Sequence, residues 1–67
     1  MTFGEKLRNL RKERGLTAKQ LSEKSGLTAV SIINYENDHR KPNLVSINKL
    51  ANALDCDFDE LYNIVKE

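Results

Sequence analysis

Apolar residues recur at intervals of three and four positions along three stretches of the chain, and this is the periodicity of an amphipathic helix. Phe3, Leu7 and Leu10 form the first stripe, behind a capping-box sequence at 2–5 that opens a helix at Phe3. Asn43 can cap a later helix. The later stripes are Leu44, Ile47, Leu50, Ala51 and Leu54, and then Phe58, Leu61, Tyr62 and Val65. Because no strand-like alternation interrupts them, the chain is predicted to be all-α.

The stretch 17–36 predicts two short helices joined by a tight turn. Thr17 can cap the first helix and Thr28 the second, which we place at 29–37. Gly26 stands between them, where the chain must turn sharply and only glycine takes a positive φ without steric cost. Two short helices at this spacing indicate a helix-turn-helix, and the flanking helices bring the predicted total to five.

The second helix of this motif carries apolar side chains on faces that a core does not need. Ile32 lies on its inward side, whereas Ala29, Val30, Ile33 and Asn34 lie mostly on other faces. In the major groove of DNA, an Asn amide can pair with adenine N6 and N7, and aliphatic side chains suit the thymine methyl group. These four residues are the predicted base-reading set, with a bias toward A·T pairs.

Each of these positions also has a simpler structural interpretation. Asn34 could be a solvated helix residue, and Val30 could be partly buried against a neighbouring helix. Ile33 could pack at the edge of the domain instead of contacting DNA. At the level of the sequence these alternatives stay open.

The motifs and their order resemble the phage repressor and Cro-like family, which is often called the XRE family. The resemblance is carried by LRNLRKERGLT (7–17), LSEKSGL (21–27), SIINYEN (31–37), RKPN (40–43), KLANAL (49–54) and FDELY (58–62). It covers nearly the whole chain and implies a compact five-helix domain like that of lambda repressor, with helices 2 and 3 as the helix-turn-helix. The family commonly has glycine where Asp38 and Asp55 stand, and aspartate tolerates the left-handed region better than most residues.

The resemblance also implies which residues hold the DNA backbone. Arg40 and Lys41 stand in the loop after the second motif helix, where the family holds phosphate. Thr17, Thr28 and Asn37 can add hydroxyl, amide or main-chain N–H donors at helix N-termini, where partial positive charge favours anions. A plain hydrophilic loop is the alternative for the two basic residues.

An ion pair between Arg11 and Glu36 is a further implication of the resemblance. It would tie helix 1 to the end of helix 3 and set the angle of the base-reading helix without contacting DNA. Arginine suits this role because its planar fork can hold a carboxylate through two hydrogen bonds.

Charge is distributed unevenly along the chain, although the formal net charge is only +1. Residues 1–42 carry nine Lys and Arg against five Asp and Glu, a net charge of +4. Residues 43–67 carry two against five, a net charge of −3. The positive part contains the helix-turn-helix, which points to a polyanionic partner on that side, with an ordinary solvated surface as the alternative.

Composition argues against several other classes of protein. A length of 67 residues allows one domain, 1–67. The single Cys56 excludes an intrachain disulfide and a two-cysteine zinc motif, which fits a reducing cytoplasm. No apolar run reaches membrane-spanning length, and the first residues lack the apolar core of a signal peptide. The lone His39 lacks partners for a metal site, and there is no nucleophile with a base and no phosphate-binding Gly loop, so neither an enzyme nor a cofactor is expected.

Two functional hypotheses follow. The first is a sequence-specific regulator of transcription, most simply a repressor, that binds a palindromic double-stranded operator as a homodimer through Phe58, Leu61 or Ile64 of helix 5. The second is a protein-binding module of the same fold, such as an antitoxin that neutralises a partner protein. A large apolar patch away from the DNA face would favour the second hypothesis. The operator and the regulated genes stay open.

Overall fold

The computed structural model describes residues 1–66, with side chains up to Val65, and in this part of the chain it contains helices and turns only. The helices are α1 (Phe3–Glu13), α2 (Ala18–Ser25), α3 (Ala29–Glu36), α4 (Leu44–Leu54) and α5 (Phe58–Lys66). Helix α1 packs against α3 and α5, α2 packs against α3 and α4, and α4 packs against α5. The predicted all-α, five-helix fold is confirmed, and α2 and α3 are its helix-turn-helix.

The first four helices begin where a side chain caps them. Thr2, Thr17, Thr28 and Asn43 each accept a hydrogen bond from the main-chain N–H three residues further on, at Glu5, Gln20, Ser31 and Ser46 respectively. In α1 and α2 the third residue returns the bond, since Glu5 and Gln20 accept from the N–H of the capping threonine. Helix starts are therefore encoded locally, which is why the sequence predicts them to the residue.

Helix ends depend on residues with a positive φ. After α1, Gly15 has a φ of +68°, and the N–H groups of Gly15 and Leu16 donate to Lys12 and Arg11 in the bond pair of a Schellman motif. After α3, Asp38 takes the same conformation with a φ of +59°. Helix α3 thus ends at Glu36, one residue before the predicted end.

One continuous core holds the five helices together. Its fully buried large side chains are Leu7, Leu21, Ile32, Ile47, Leu50, Leu54 and Leu61. They come from all five helices. Leu44, predicted as part of the apolar stripe of α4, lies outside the core and is 59% exposed. Leu27, which the motif places under the turn between α2 and α3, is only partly buried and packs against the edge of this core.

The N-terminal turn of α1 lies in direct contact with the C-terminal turn of α3. A Cβ built on Gly4 would lie 2.6 Å from the carbonyl oxygen of Tyr35, closer than real side chains approach. Only glycine therefore allows the two main chains to approach this closely. The Tyr35 ring also packs edge-on against Phe3, and its hydroxyl is hydrogen-bonded to Ser46 of α4 at 3.1 Å in a buried position. These contacts fix α3 from two sides.

We expect Leu50→Ala to lower the free energy of unfolding by about 2–5 kcal/mol, because it removes a side chain from a packed core and leaves a cavity. The measurement is urea denaturation of both proteins. Leu44→Ala in the same helix is the matched control, since Leu44 is 59% exposed. Its change should stay within about 0.5 kcal/mol. Equal losses in the two variants would contradict the assignment of Leu50 to the core.

Candidate nucleic-acid interface

Helix α3 presents apolar side chains outward. Its inward side is formed by Ile32 and Tyr35, which are 0% and 3% exposed. Val30 is 67% exposed and Ile33 is 47% exposed, whereas Ala29 and Asn34 are partly exposed at the margins of the same surface. The alternative in which Val30 packs against a neighbouring helix is therefore wrong. We call the outward surface of Ala29, Val30, Ile33 and Asn34 the α3 face.

The loop after α3 carries exposed positive charge beside this helix. Arg40 and Lys41 are both exposed, and Pro42 behind them is buried. The guanidinium carbon of Arg40 lies 5.9 Å from the centroid of the Tyr35 ring. A guanidinium at that distance is attracted to the negative face of the ring, which restrains Arg40 near the end of α3.

The hydroxyl groups of Thr17 and Thr28 are already engaged in capping. Thr17 accepts from the Gln20 N–H, and its own N–H donates to the Gln20 side chain at 2.9 Å. Thr28 accepts from the Ser31 N–H and donates to the Ser31 hydroxyl. Both positions offer an anion the positive end of a capped helix. In the cap the Thr17 hydroxyl only accepts, so its O–H can still donate to an anion, whereas the Thr28 O–H already donates to Ser31.

The structure corrects the placement of Asn37. This residue lies at the C-terminal end of α3, where the helix carries partial negative charge, and not at a helix N-terminus. Its main-chain N–H donates to the Ile33 carbonyl at 3.0 Å, so it is not available to a phosphate. Its Oδ1 accepts from Nη2 of Arg8 at 3.1 Å. Only the side-chain NH₂ group of Asn37 can then serve as a donor to the DNA backbone.

Glu36 is held by two arginines of α1. Its carboxylate is buried and accepts from Nε of Arg11 at 2.6 Å and from Nη2 of Arg11 at 3.0 Å. Arg11 also donates through Nη1 to the Leu16 carbonyl, and the hydrogen bond to Glu36 raises the pKa of the Arg11 guanidinium. Nε of Arg8 lies 3.4 Å from Oε1 of the same carboxylate. The geometry thus places Arg11 and Glu36 together in the two-bond arrangement that the resemblance implies.

Sequence reasoning missed Arg8 and Arg14. Arg8 precedes Arg11 by one helical turn, so both side chains can reach the end of α3, and this spacing is a signal that the sequence contains. Arg14 donates through Nε to the Leu54 carbonyl at 2.8 Å and joins the end of α1 to the end of α4. No local sequence pattern predicts this contact, because 40 residues separate Arg14 and Leu54 in the chain.

The structure also corrects the predicted dimer contact. Leu61 is fully buried in the core, so its side chain cannot reach a second molecule. Phe58 is partly exposed and stacks on Tyr62 with ring centroids 5.4 Å apart. Ile64 is partly exposed and lines an open groove of about 410 Å³ between the start of α1, the loop after α3 and α5. Phe58 and Ile64 are the members of the predicted set that remain available.

Other kinds of site have little support in the part of the chain described here. Within residues 1–66, no group of three or more His, Cys, Asp and Glu side chains is arranged to hold a metal ion, and no helix is long and apolar enough to cross a membrane. Burial raises the pKa of the Cys56 thiol, which disfavours the reactive thiolate.

Comparison with known proteins identifies the family. Residues 7–61 match the profile of the helix-turn-helix family, and this match spans most of the chain. The chain therefore belongs to the helix-turn-helix family. The structures that resemble it include the DNA-binding domain of the P22 c2 repressor in solution, with a TM-score of 0.88 and 29% identity over 92% of this chain and 82% of that one.

Two curated relatives and a second solved structure extend the comparison. The transcriptional repressor RghR of Bacillus subtilis is 46% identical over 61 residues, which cover 90% of this chain and 45% of RghR. The immunity repressor of Bacillus phage phi105 is 39% identical over 81% of this chain and 38% of the relative. The P22 c2 repressor in complex with a synthetic operator has a TM-score of 0.85 and 30% identity over 91% of this chain and 92% of that one. The chain thus spans less than half the length of the curated relatives.

We expect Arg11 and Glu36 to be energetically coupled. Arg11→Ala and Glu36→Ala should each destabilise the domain, because each leaves a charged partner in a mostly buried position. The double variant should cost less than the sum, with a coupling energy of about 0.5–3 kcal/mol from urea denaturation. Arg8→Ala paired with Glu36→Ala is the control cycle; its coupling should be smaller, since the Arg8 side chain is 46% exposed. Strict additivity for Arg11 and Glu36 would show that the contact carries no energy.

Proposed function

We propose that this domain is the DNA-binding part of a sequence-specific transcriptional regulator, acting as a repressor, that inserts α3 into the major groove. The α3 face is the observation on which the proposal rests. Val30 and Ile33 of the helix-turn-helix are apolar and exposed, although a domain without a partner at this surface could have polar residues there at no cost in stability. The names of the relatives, which are repressors, and the operator complex of the P22 c2 repressor support it. The compartment that we propose for such a regulator is the cytoplasm.

Base reading is assigned to the α3 face. Asn34 would pair with an adenine edge through its amide, and Ala29, Val30 and Ile33 would pack against thymine methyl groups. The helix has no Lys or Arg between residues 29 and 36, so its readout rests on amide and methyl contacts. Such a surface favours A·T pairs.

Binding of the DNA backbone is assigned to Arg40 and Lys41. The N-termini of α2 and α3, which Thr17 and Thr28 cap, are proposed to face the same DNA backbone. The side-chain NH₂ of Asn37 adds a donor, and Arg8 orients it by holding Oδ1. Contacts of this kind fix the register of a protein on DNA and carry no base information themselves.

Two copies are proposed to bind a palindromic operator. One helix-turn-helix covers one half-site, and a two-fold dimer reads half-sites about 34 Å apart. Phe58 and Ile64 of α5 supply partly exposed apolar surface for the contact between the copies.

A protein-binding module, such as an antitoxin, is the second candidate. Leu44 and Val45 favour it, because these adjacent residues at the start of α4 are 59% and 63% exposed and lie outside the α3 face. A protein partner would bury them, and DNA binding and protein binding could then coexist in one domain.

Asn34→Ala and Arg40→Ala should separate specificity from affinity. Loss of a base contact should cost about 1–3 kcal/mol and relax the preference at one A·T pair, with the salt dependence nearly unchanged. Loss of a phosphate contact should weaken binding to all sequences alike and lower the salt slope by about one. The measurement is titration against a site selected from a random duplex pool, its single-base variants and random duplex, at several salt concentrations.

Lys49→Ala serves as the charge control for Arg40→Ala, because Lys49 is an exposed cation of α4 outside the proposed interface. Its salt slope should equal that of the wild type. If Asn34→Ala keeps the wild-type ratios among the single-base variants, Asn34 does not read a base. A wild type that does not distinguish the selected site from random duplex would contradict the proposed function and leave the protein-binding candidate.

Sedimentation tests the dimer. On a duplex with two half-sites one helical turn apart, we expect two copies to bind cooperatively, and on a single half-site one copy. The control duplex moves one half-site by about half a turn, or about five base pairs, to the opposite face of the DNA. Cooperativity should disappear there, because the copies can no longer touch. Equal cooperativity on both duplexes, or one copy on the palindrome, would contradict a two-fold dimer.

A further inference from the structure

Asp38 follows the end of α3 in a conformation that most residues avoid. Its φ of +59° lies in the left-handed region, where a Cβ is crowded against the following carbonyl. The N–H groups of Asp38 and His39 donate to the carbonyls of Tyr35 and Asn34 at 3.1 and 2.9 Å, which satisfies the last turn of the helix. Glycine would make the same two main-chain bonds with less strain. The aspartate side chain therefore needs a separate explanation.

Both carboxylate oxygens of Asp38 bind the first turn of α1. Oδ2 accepts from the Thr2 hydroxyl at 2.7 Å, and Oδ1 accepts from the Gly4 main-chain N–H at 3.0 Å. The Gly4 N–H is one of the donors that a helix leaves without a partner at its start, and a carboxylate there is favoured by the helix dipole. We call these two hydrogen bonds the Asp38 cap. They join residues 36 and 34 positions apart in the sequence.

Thr2 links the Asp38 cap to the local cap of α1. Its hydroxyl accepts from the Glu5 N–H at 3.2 Å while it donates to Asp38. One hydroxyl therefore uses both its donor and its acceptor capacity. The start of α1 and the end of α3 share a continuous hydrogen-bond network.

The backbone around Gly4 leaves little room for another arrangement. A Cβ at Gly4 would lie 2.6 Å from the Tyr35 carbonyl oxygen and 2.8 Å from Oδ1 of Asp38. The carboxylate thus joins α1 to α3 at a place where the main chains of the two helices are already in contact. Arg11 attaches the same end of α3 to α1 through Glu36, about two helical turns further along α1. The Asp38 cap and the Glu36 pair therefore hold the end of α3 at two separate points of α1, in addition to the contacts of Tyr35 with Phe3 and Ser46.

We propose that Asp38 is a positioning residue for DNA reading: its carboxylate fastens the end of α3 to the start of α1 and sets the direction in which Asn34 and Arg40 are presented. This proposal rests on the proposed function, but the Asp38 cap itself can be measured without DNA. It requires no contact between Asp38 and DNA, since phosphates would repel the carboxylate.

Three variants isolate the carboxylate from the backbone effect. Asp38→Gly keeps the positive φ and removes both hydrogen bonds of the Asp38 cap. Asp38→Asn keeps the shape, and its amide can still accept from Gly4 and donate to the Thr2 oxygen, so it should rescue most of the loss. Asp55→Gly is the matched control, because Asp55 ends α4 with a φ of +54° and its carboxylate makes no hydrogen bond with the side chains and main chain described for residues 1–65. Both glycine variants remove one negative charge.

Amide hydrogen exchange of Gly4 and DNA discrimination are the two measurements, made at a temperature where circular dichroism shows every variant folded. In Asp38→Gly the Gly4 amide should exchange faster, and the affinity ratio between the selected site and random duplex should fall by about tenfold. Asp38→Asn should stay near the wild type in both measurements. Asp55→Gly should match the wild type in both and should unfold at the same or a higher urea concentration.

Each contrary result has a distinct meaning. Wild-type exchange at Gly4 in Asp38→Gly would show that the Asp38 cap does not form, and the proposal would fall. Faster exchange with an unchanged affinity ratio would show that the cap exists but does not position α3, which also overturns the proposal. A wild type without any preference over random duplex would contradict the proposed function instead, and the exchange of Gly4 would still decide whether the Asp38 cap joins the two helices.

Discussion

The carboxylate of Glu36 is the constraint on which the arrangement of the helices depends. It is only 7% exposed, and a charge in such a position must be paired and hydrogen-bonded. Arg11 supplies two of its hydrogen bonds, and both cations that reach it, Arg8 and Arg11, belong to α1. A buried ion pair contributes little net stability compared with apolar residues of the same volume. Its effect here is geometric, since α3 can end at this place only when α1 lies beside it.

The other contacts of α3 also fix its orientation relative to the neighbouring helices. The Tyr35 hydroxyl bonds to Ser46 of α4, and the ring packs against Phe3 of α1. Ile32 is fully buried in the core, and α2 also packs against α3. A helix of eight residues is too short to be stable alone, so its shape is set by these neighbours rather than by its own propensity.

The sequence predicts the elements well and the junctions poorly, for a physical reason. Caps and apolar stripes act over three to seven residues, so Thr2, Thr17, Thr28 and Asn43 mark helix starts that the structure reproduces. The hydrogen bonds of Asp38 and Arg14 cross 34 to 40 residues, and no local pattern encodes them. The prediction of Leu61 as a dimer contact is wrong for a different reason. Its place in the stripe of α5 makes it a core residue, and a fully buried side chain cannot also contact a second molecule.

The two sides of α3 have an evolutionary consequence. Ile32 and Tyr35 are buried in the core, whereas Val30 and Ile33 are 67% and 47% exposed and contribute less to the packing. Substitutions on the outward side therefore change the chemistry offered to a partner at little thermodynamic cost, because surface changes usually alter stability by only about 0.5 kcal/mol. Such a scaffold can diversify its recognition by drift and selection while the rest of the domain stays the same. Families built on this fold can acquire new targets one exposed side chain at a time.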